Sequence, residues 1–174
     1  MGIFRWRGIY ENLDFVLEQV ANPAKRVIDF GGAACPLGFG SDVLDTFEQD
    51  ASGRTVPYHL CEEIGHQVDT VFSSHTLEHI PNLTGVLQQI ADILVPGGVA
   101  IFHVPAYTCA RWNVGNHKNN VYNDHAWTFG LEGTASPEGI ENYIRIDTAV
   151  SKFLSIEKAD YCGDNSIFLV ARKI

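Results

Sequence analysis

Strand–helix–strand alternation across residues 68–105 constrains the fold more than any other feature of the chain. The segment DTVFSS (69–74) has the apolar, β-branched character of a strand. Leu83, Val86, Leu87, Ile90, Ile93 and Leu94 then form one helical stripe, with Asn82 as the expected cap and Pro96-Gly97-Gly98 as the stop. Residues 99–104 read as the next strand, closed by Pro105. Two strands joined through a helix run parallel, and a parallel sheet needs helices over both faces. An earlier unit repeats the pattern. Leu13, Val16, Leu17 and Val20 mark an amphipathic helix over 12–21, capped by Asn12 and ended by Pro23, ahead of the strand RVIDF (26–30). Residues 41–45 suit a strand or a helix start, and residues 56–60 suit a third strand.

The second half reads differently. Residues 106–133 form a long polar connection rich in aromatic residues, a length usually reserved for functional loops. Ser136 and Pro137 predict a helix start, with the helix running toward Phe153. Two closing strands, 155–161 and 166–172, flank the turn signal Gly163-Asp164-Asn165 and predict an antiparallel hairpin at the sheet edge. The expected architecture is a single α/β domain over 1–174, a doubly wound, mostly parallel sheet flanked by helices with that hairpin at its edge. Residues 1–24 form an N-terminal helical segment, 25–105 a first half and 106–174 a second half made of loop, helix and hairpin. Phe4, Trp6, Ile9 and Tyr10 are expected to fold over the domain.

Charge narrows the partners. Twelve Lys and Arg against 21 Asp and Glu give a formal net charge of −9, and counterion release needs a basic surface that this chain lacks, so nucleic acid is not expected. No apolar run approaches the ~20 residues of a membrane span, so no membrane partner is expected. The opening MGIFRWRGIY lacks the apolar core of a secretory leader, so a cytoplasmic location is expected. Cys35, Cys61, Cys109 and Cys162 contain no CxxC pair and read as reduced thiols.

The strand ending at Phe30 runs straight into Gly31-Gly32, and Asp45 follows sixteen residues after Asp29. Small residues after a strand let backbone approach a ligand, and a carboxylate at the next strand tip accepts two ribose hydroxyls. Together VIDFGGA (27–33), the stretch DTVFSSHTLEHI (69–80), the Leu87–Ile90–Leu94 stripe and VPGG (95–98) resemble class I methyltransferases that use S-adenosylmethionine, in particular short members with a GG-x-x-x-P first loop containing Pro36. The resemblance covers residues 25–105 best. It implies a Rossmann-like methyltransferase fold and S-adenosylmethionine as cofactor, with S-adenosylhomocysteine as product. It also implies that Asp29 holds the cofactor's amino group, directly or through water, that Gly31 and Gly32 admit its methionine and ribose portions, and that Asp45 binds the ribose hydroxyls. Glu62 would lie near the adenine, and Ser74 and His75 beside the methionine end. The family's third and fifth turn glycines are Ala33 and Cys35 here, which leaves two readings: an enzyme acting on a small-molecule or glycan-type acceptor, or a non-catalytic scaffold with an impaired pocket. Oligomeric state stays open between monomer and homodimer.

Methyl transfer from a sulfonium needs positioning and, for hydroxyl or amine acceptors, a base. His125, in a His-x-Trp element that similar proteins place over the substrate, is the first candidate and His103 the second. The string His75-Thr-Leu-Glu78-His79 also spells the inverted zinc-peptidase pattern H-x-x-E-H. It leaves a strand and meets Pro81 within two residues, so no metal is expected and Glu78 and His79 are expected to brace the loop. Tyr107, Trp112, Tyr122, Trp127 and Phe129 are expected on the acceptor side.

Overall fold

A computed structural model describes residues 7–32, 37–44, 64–109, 125–134 and 136–174. Asp45, Glu62, residues 56–60, Phe4, Trp6, the Ala33–Pro36 stretch of the first loop, Trp112 and Tyr122 lie outside the described residues.

The main sheet has six strands, β1 (Val27–Phe30), β2 (Asp42–Leu44), β3 (Val68–Ser74), β4 (Leu94–Pro105), β7 (Ser155–Tyr161) and β8 (Ser166–Arg172), in the order β2-β1-β3-β4-β8-β7. The first four are mutually parallel, and β8 and β7 close the edge antiparallel as the hairpin signal predicts. Strands β5 (Thr128–Gly130) and β6 (Tyr143–Arg145) form a separate parallel pair.

Parity along the strands decides what each face meets, because successive side chains point to opposite sides. Ile28, Phe30, Val71, Ala100, Phe102, Ile167 and Leu169 pack under helices α3 (Leu83–Ile93) and α4 (Ile146–Val150). Val27, Phe72, Val99, Ile101, Phe168 and Val170 pack under α1 (Arg7–Tyr10) and α2 (Leu13–Val20), against Ile9, Val16 and Val20. Each fully buried aliphatic or aromatic side chain contributes roughly 1.5–3 kcal/mol, so both layers are held by the sheet. Asp29, Ser74, His103 and Ser166 fall on the α1–α2 face by the same parity, polar positions at the carboxyl ends of otherwise apolar strands. Ile9 is fully buried there, whereas Tyr10 is exposed.

Two local expectations need correction. No helix starts at Ser136: Gly139 (φ +76°) and Asn142 (φ +49°) turn the chain, and residues 143–145 join β5 instead. Two left-handed residues within four positions cannot lie in a right-handed helix, and Tyr143-Ile144 suit a pleated strand. Asn12 does not cap α2 with its side chain; it donates to Gly8 O at 2.8 Å and accepts from Lys158 Nζ at 2.7 Å. Asn82 does cap α3, accepting from Gly85 N at 3.1 Å. Among the described residues no helix is long and apolar enough to cross a membrane.

Candidate functional site

Open parallel sheets bind ligands beyond the carboxyl ends of their strands. Here those ends belong to β1, β3 and β4. Gly31 follows β1 with φ +85°, and its amide donates to Leu44 O at 2.6 Å, tying the loop to the tip of β2. A Cβ at Gly31 would stand 1.9 Å from Thr76 Oγ1. Glycine is therefore required twice, for the left-handed backbone and for the contact with the loop after β3. Thr76 is buried and donates to Phe30 O at 3.2 Å. Asp29, 1% exposed, folds back beneath Gly32 and accepts from Leu37 N at 2.6 Å. Its carboxylate therefore braces the loop from inside. Three of the sequence-predicted donor residues, Asp29, Gly31 and Gly32, thus converge.

Ser74 and His75 end β3 beside this loop. His75 adopts φ +52°, a left-handed conformation uncommon outside glycine, though histidine, like asparagine and aspartate, enters it more often than most residues. Its amide donates to His103 O at 2.8 Å, and its ring meets that of His103 edge-on at 4.9 Å. His103 itself is fully enclosed. Its Nδ1 shares a hydrogen bond with Ser74 Oγ at 2.9 Å and its Nε2 with Ser166 Oγ at 2.8 Å. Ser166 donates to Asp164, whose other oxygen accepts from Gly8 N at 2.9 Å. Burial, reinforced by the charge of His75, outweighs Asp164 and Glu78 and lowers His103 to about 3. A neutral ring with so little basicity orients Ser74 well and takes up protons poorly near neutrality.

The turn after β3 is a single 3-10 turn, Leu77–His79. Glu78 is fully buried, and among the described residues neither carboxylate oxygen has a hydrogen bond of ordinary geometry. His75 Nδ1 lies 3.4 Å and His79 Nε2 3.9 Å from Oε1. Burial pushes this carboxyl up, but His75, then His79 and His125, outweigh it and hold it below the ordinary glutamate value. The main chain of Glu78 does have partners: its carbonyl accepts from Ala126 N at 2.7 Å and Trp127 N at 3.2 Å. Trp127 Nε1 donates to Ile80 O at 2.7 Å. These three bonds set the His-x-Trp segment on the Leu-Glu-His turn. His125, 8% exposed, meets the His79 ring edge-on at 4.5 Å. One ligand atom from each of Glu78, His79 and His125 lies within 4.8 Å of the others.

The brace expected of Glu78 is thus made by its backbone, while its side chain joins a cluster that sequence spacing did not suggest. Asp164 and Ser166 were also missed; their only sequence signal is a polar turn before an apolar strand. Among the aromatics, Phe129 is fully buried in the core under α3 and α4, which corrects its expected place on the acceptor side. Trp127 fastens the turn, and Tyr107 packs edge-on against Tyr143 and Tyr161. Cys162 is a free thiol, and burial beside Asp164 and Glu11 raises it to about 11, an unreactive value.

Residues 4–136 match a protein family described as a methyltransferase domain, and no curated protein matches the chain. Solved structures share the fold at low identity. A chain of the Haloferax volcanii complex containing the Trm112 methyltransferase activator aligns with 97% of this chain and 90% of its own length, at TM-score 0.59 and 12% identity. An S-adenosylmethionine-dependent methyltransferase from Mesorhizobium loti aligns with 95% of this chain and 98% of its own, at TM-score 0.55 and 15% identity. The N-methyltransferase NodS of Bradyrhizobium japonicum WM9, in complex with S-adenosylhomocysteine, covers 95% of this chain and 87% of its own, at TM-score 0.53 and 15% identity. With three quarters of its length inside the match, the chain belongs to the methyltransferase-domain family and has the doubly wound fold of class I members that use S-adenosylmethionine.

Proposed function

We propose that the protein transfers the methyl group of S-adenosylmethionine directly to a small-molecule or glycan-type acceptor. The observation that carries this reading is the fit of Gly31 against Thr76, which joins the loops after β1 and β3 into one rigid rim at the carboxyl edge of the sheet. Asp29 holds the rim from below, so its interaction with the donor's amino group runs through the loop it positions. Gly31 and Gly32 face the methionine and ribose portions, Asp45 takes the ribose hydroxyls, and Glu62 serves the adenine. Ser74 and His75 border the methionine end.

The donor's sulfonium is already an activated leaving group, so the protein's part is to align acceptor, methyl and sulfur and to exclude water. His125, set on the turn after β3, works on the acceptor. His103 is a positioning residue that fixes Ser74 and the end of β3.

Calorimetric titration with S-adenosylhomocysteine tests the reading. Micromolar binding is expected, weakened about 100-fold in Asp45→Ala through loss of two charge-assisted hydrogen bonds. Absence of binding by the wild-type protein would contradict it.

A further inference from the structure

We infer that Glu78, His79 and His125 form a three-ligand site for a divalent first-row cation such as zinc, manganese or cobalt, which holds an oxygen of the acceptor. Three observations converge on it. A glutamate carboxylate is fully buried with no hydrogen bond of ordinary geometry to either oxygen among the described residues. The imidazoles of His75 and His79 approach one of its oxygens only at 3.4 and 3.9 Å, and an ion would satisfy the carboxylate more closely. Two imidazoles stand beside it, with donor atoms of the three side chains within 4.8 Å. Metal–ligand distances of about 2.0–2.2 Å put donor atoms about 3.0–3.5 Å apart, so closure asks for side-chain shifts of only about 1 Å. The backbone bonds from Ala126 and Trp127 to Glu78 O fix the two contributing segments relative to one another before any ion arrives.

The donor set selects the ion. Two imidazoles and one carboxylate suit first-row divalent cations and leave coordination positions open, whereas magnesium prefers oxygen ligands and water. His79, with 15% of its side chain exposed, gives the ion a way in. His75 Nδ1, 3.4 Å from Glu78 Oε1, belongs to the outer shell.

The site's use rests on the methyltransferase reading and narrows it to a hydroxyl-bearing acceptor. A bound hydroxyl becomes more acidic on the cation. Its proton is released to solvent, and an oxygen lone pair forms the new bond to the methyl carbon. The S–CH3 bond breaks with its electron pair left on sulfur, which turns the sulfonium into a neutral thioether. His125 then acts on the acceptor through the ion rather than as the base itself.

The test is titration of chelator-treated, full-length protein with zinc chloride by calorimetry, and with cobalt chloride by visible absorption. One equivalent is expected to bind, with a zinc Kd at or below ~1 µM, and magnesium chloride is expected not to compete. His79→Asn with His125→Asn should weaken zinc by more than about 100-fold, beyond the usual cost of losing an outer-shell partner, while the exposed His66→Ala leaves it unchanged. Zinc K-edge absorption on the wild-type protein should show two imidazoles and oxygen, which keeps the test independent of variant folding. No saturable binding, sulfur in the shell, or zinc affinity unchanged in a folded double variant would overturn the site. S-adenosylhomocysteine binding, measured in parallel, separates this outcome from failure of the methyltransferase reading.

Discussion

The loop after β1 and the turn after β3 lie side by side at the same sheet edge, yet they are built on opposite principles. After β1, polar groups are used to make structure. Asp29 Oδ2 holds Leu37 N, Gly31 N holds Leu44 O, and a glycine is pressed onto Thr76. After β3, main-chain carbonyls anchor the structure: Glu78 O accepts from Ala126 N and Trp127 N, and Ile80 O from the Trp127 indole. The side chains of Glu78, His79 and His125 gather into one cluster. A rim that must cradle a fixed cofactor gains from rigidity in the loop itself. A site that must act on an acceptor gains from titratable side chains gathered in one place.

Substitutions can break this contrast. The largest effect is expected from Gly31→Ala. The left-handed φ costs about 1–2 kcal/mol and overpacking against Thr76 about 1–3 kcal/mol. A loss of about 3 kcal/mol lowers the melting temperature by about 10 °C for a domain of this size. A thermal melt within 2 °C of wild type, on the order of half a kcal/mol, would show that the rim is not rigid.

Next is the pH response of His103. Its proton is bound near pH 6.5 in the unfolded chain but only near about 3 in the folded one, owing first to burial and then to the charge of His75. The unfolded state therefore binds more protons between these values, so stability rises with pH across the window and is lost on acidification. Between pH 6.5 and 5 the loss attributable to His103 is about 2 kcal/mol, measured by urea unfolding at both pH values. His103→Gln should flatten that slope. A slope unchanged in the variant would show that His103 is not the source of the response.

The smallest effects set the two regions directly against each other. Thr76→Val and Trp127→Phe each remove a hydrogen bond to a carbonyl at the sheet edge, worth about 1 kcal/mol. Thr76→Val should weaken S-adenosylhomocysteine binding with little change in acceptor KM. Trp127→Phe should raise acceptor KM and leave S-adenosylhomocysteine binding nearly intact. Reversed or identical effects, read by calorimetry and initial rates, would erase the distinction between donor and acceptor sides.

Local signals in the sequence were strong where one force dominates. Apolar runs and Pro-Gly-Gly marked β3, α3 and β4, and Gly163-Asp164-Asn165 marked the closing hairpin. The Gly31 turn was legible for the same reason, since glycine after a buried strand has few other uses. Ser136-Pro137 misled because a good start signal says nothing about the next ten residues, where Gly139 and Asn142 reverse the chain. The Glu78 cluster was hidden more deeply. H-x-x-E-H was visible, but its helix reading fails at Pro81, and the third member of the cluster comes from 46 residues beyond His79 through backbone bonds that carry no side-chain signature. His103 was visible as a histidine near a strand end, but its enclosure depends on Gly8 and Ser166 arriving from opposite ends of the chain.

The most direct measurement is a crystal structure of the protein with S-adenosylhomocysteine. The sulfur is expected beyond the carboxyl ends of β1 and β3, against Gly31 and on the side of His75, with the ribose reaching toward Asp45. A ligand bound elsewhere, or an empty sheet edge at saturating concentration, would contradict the proposed activity.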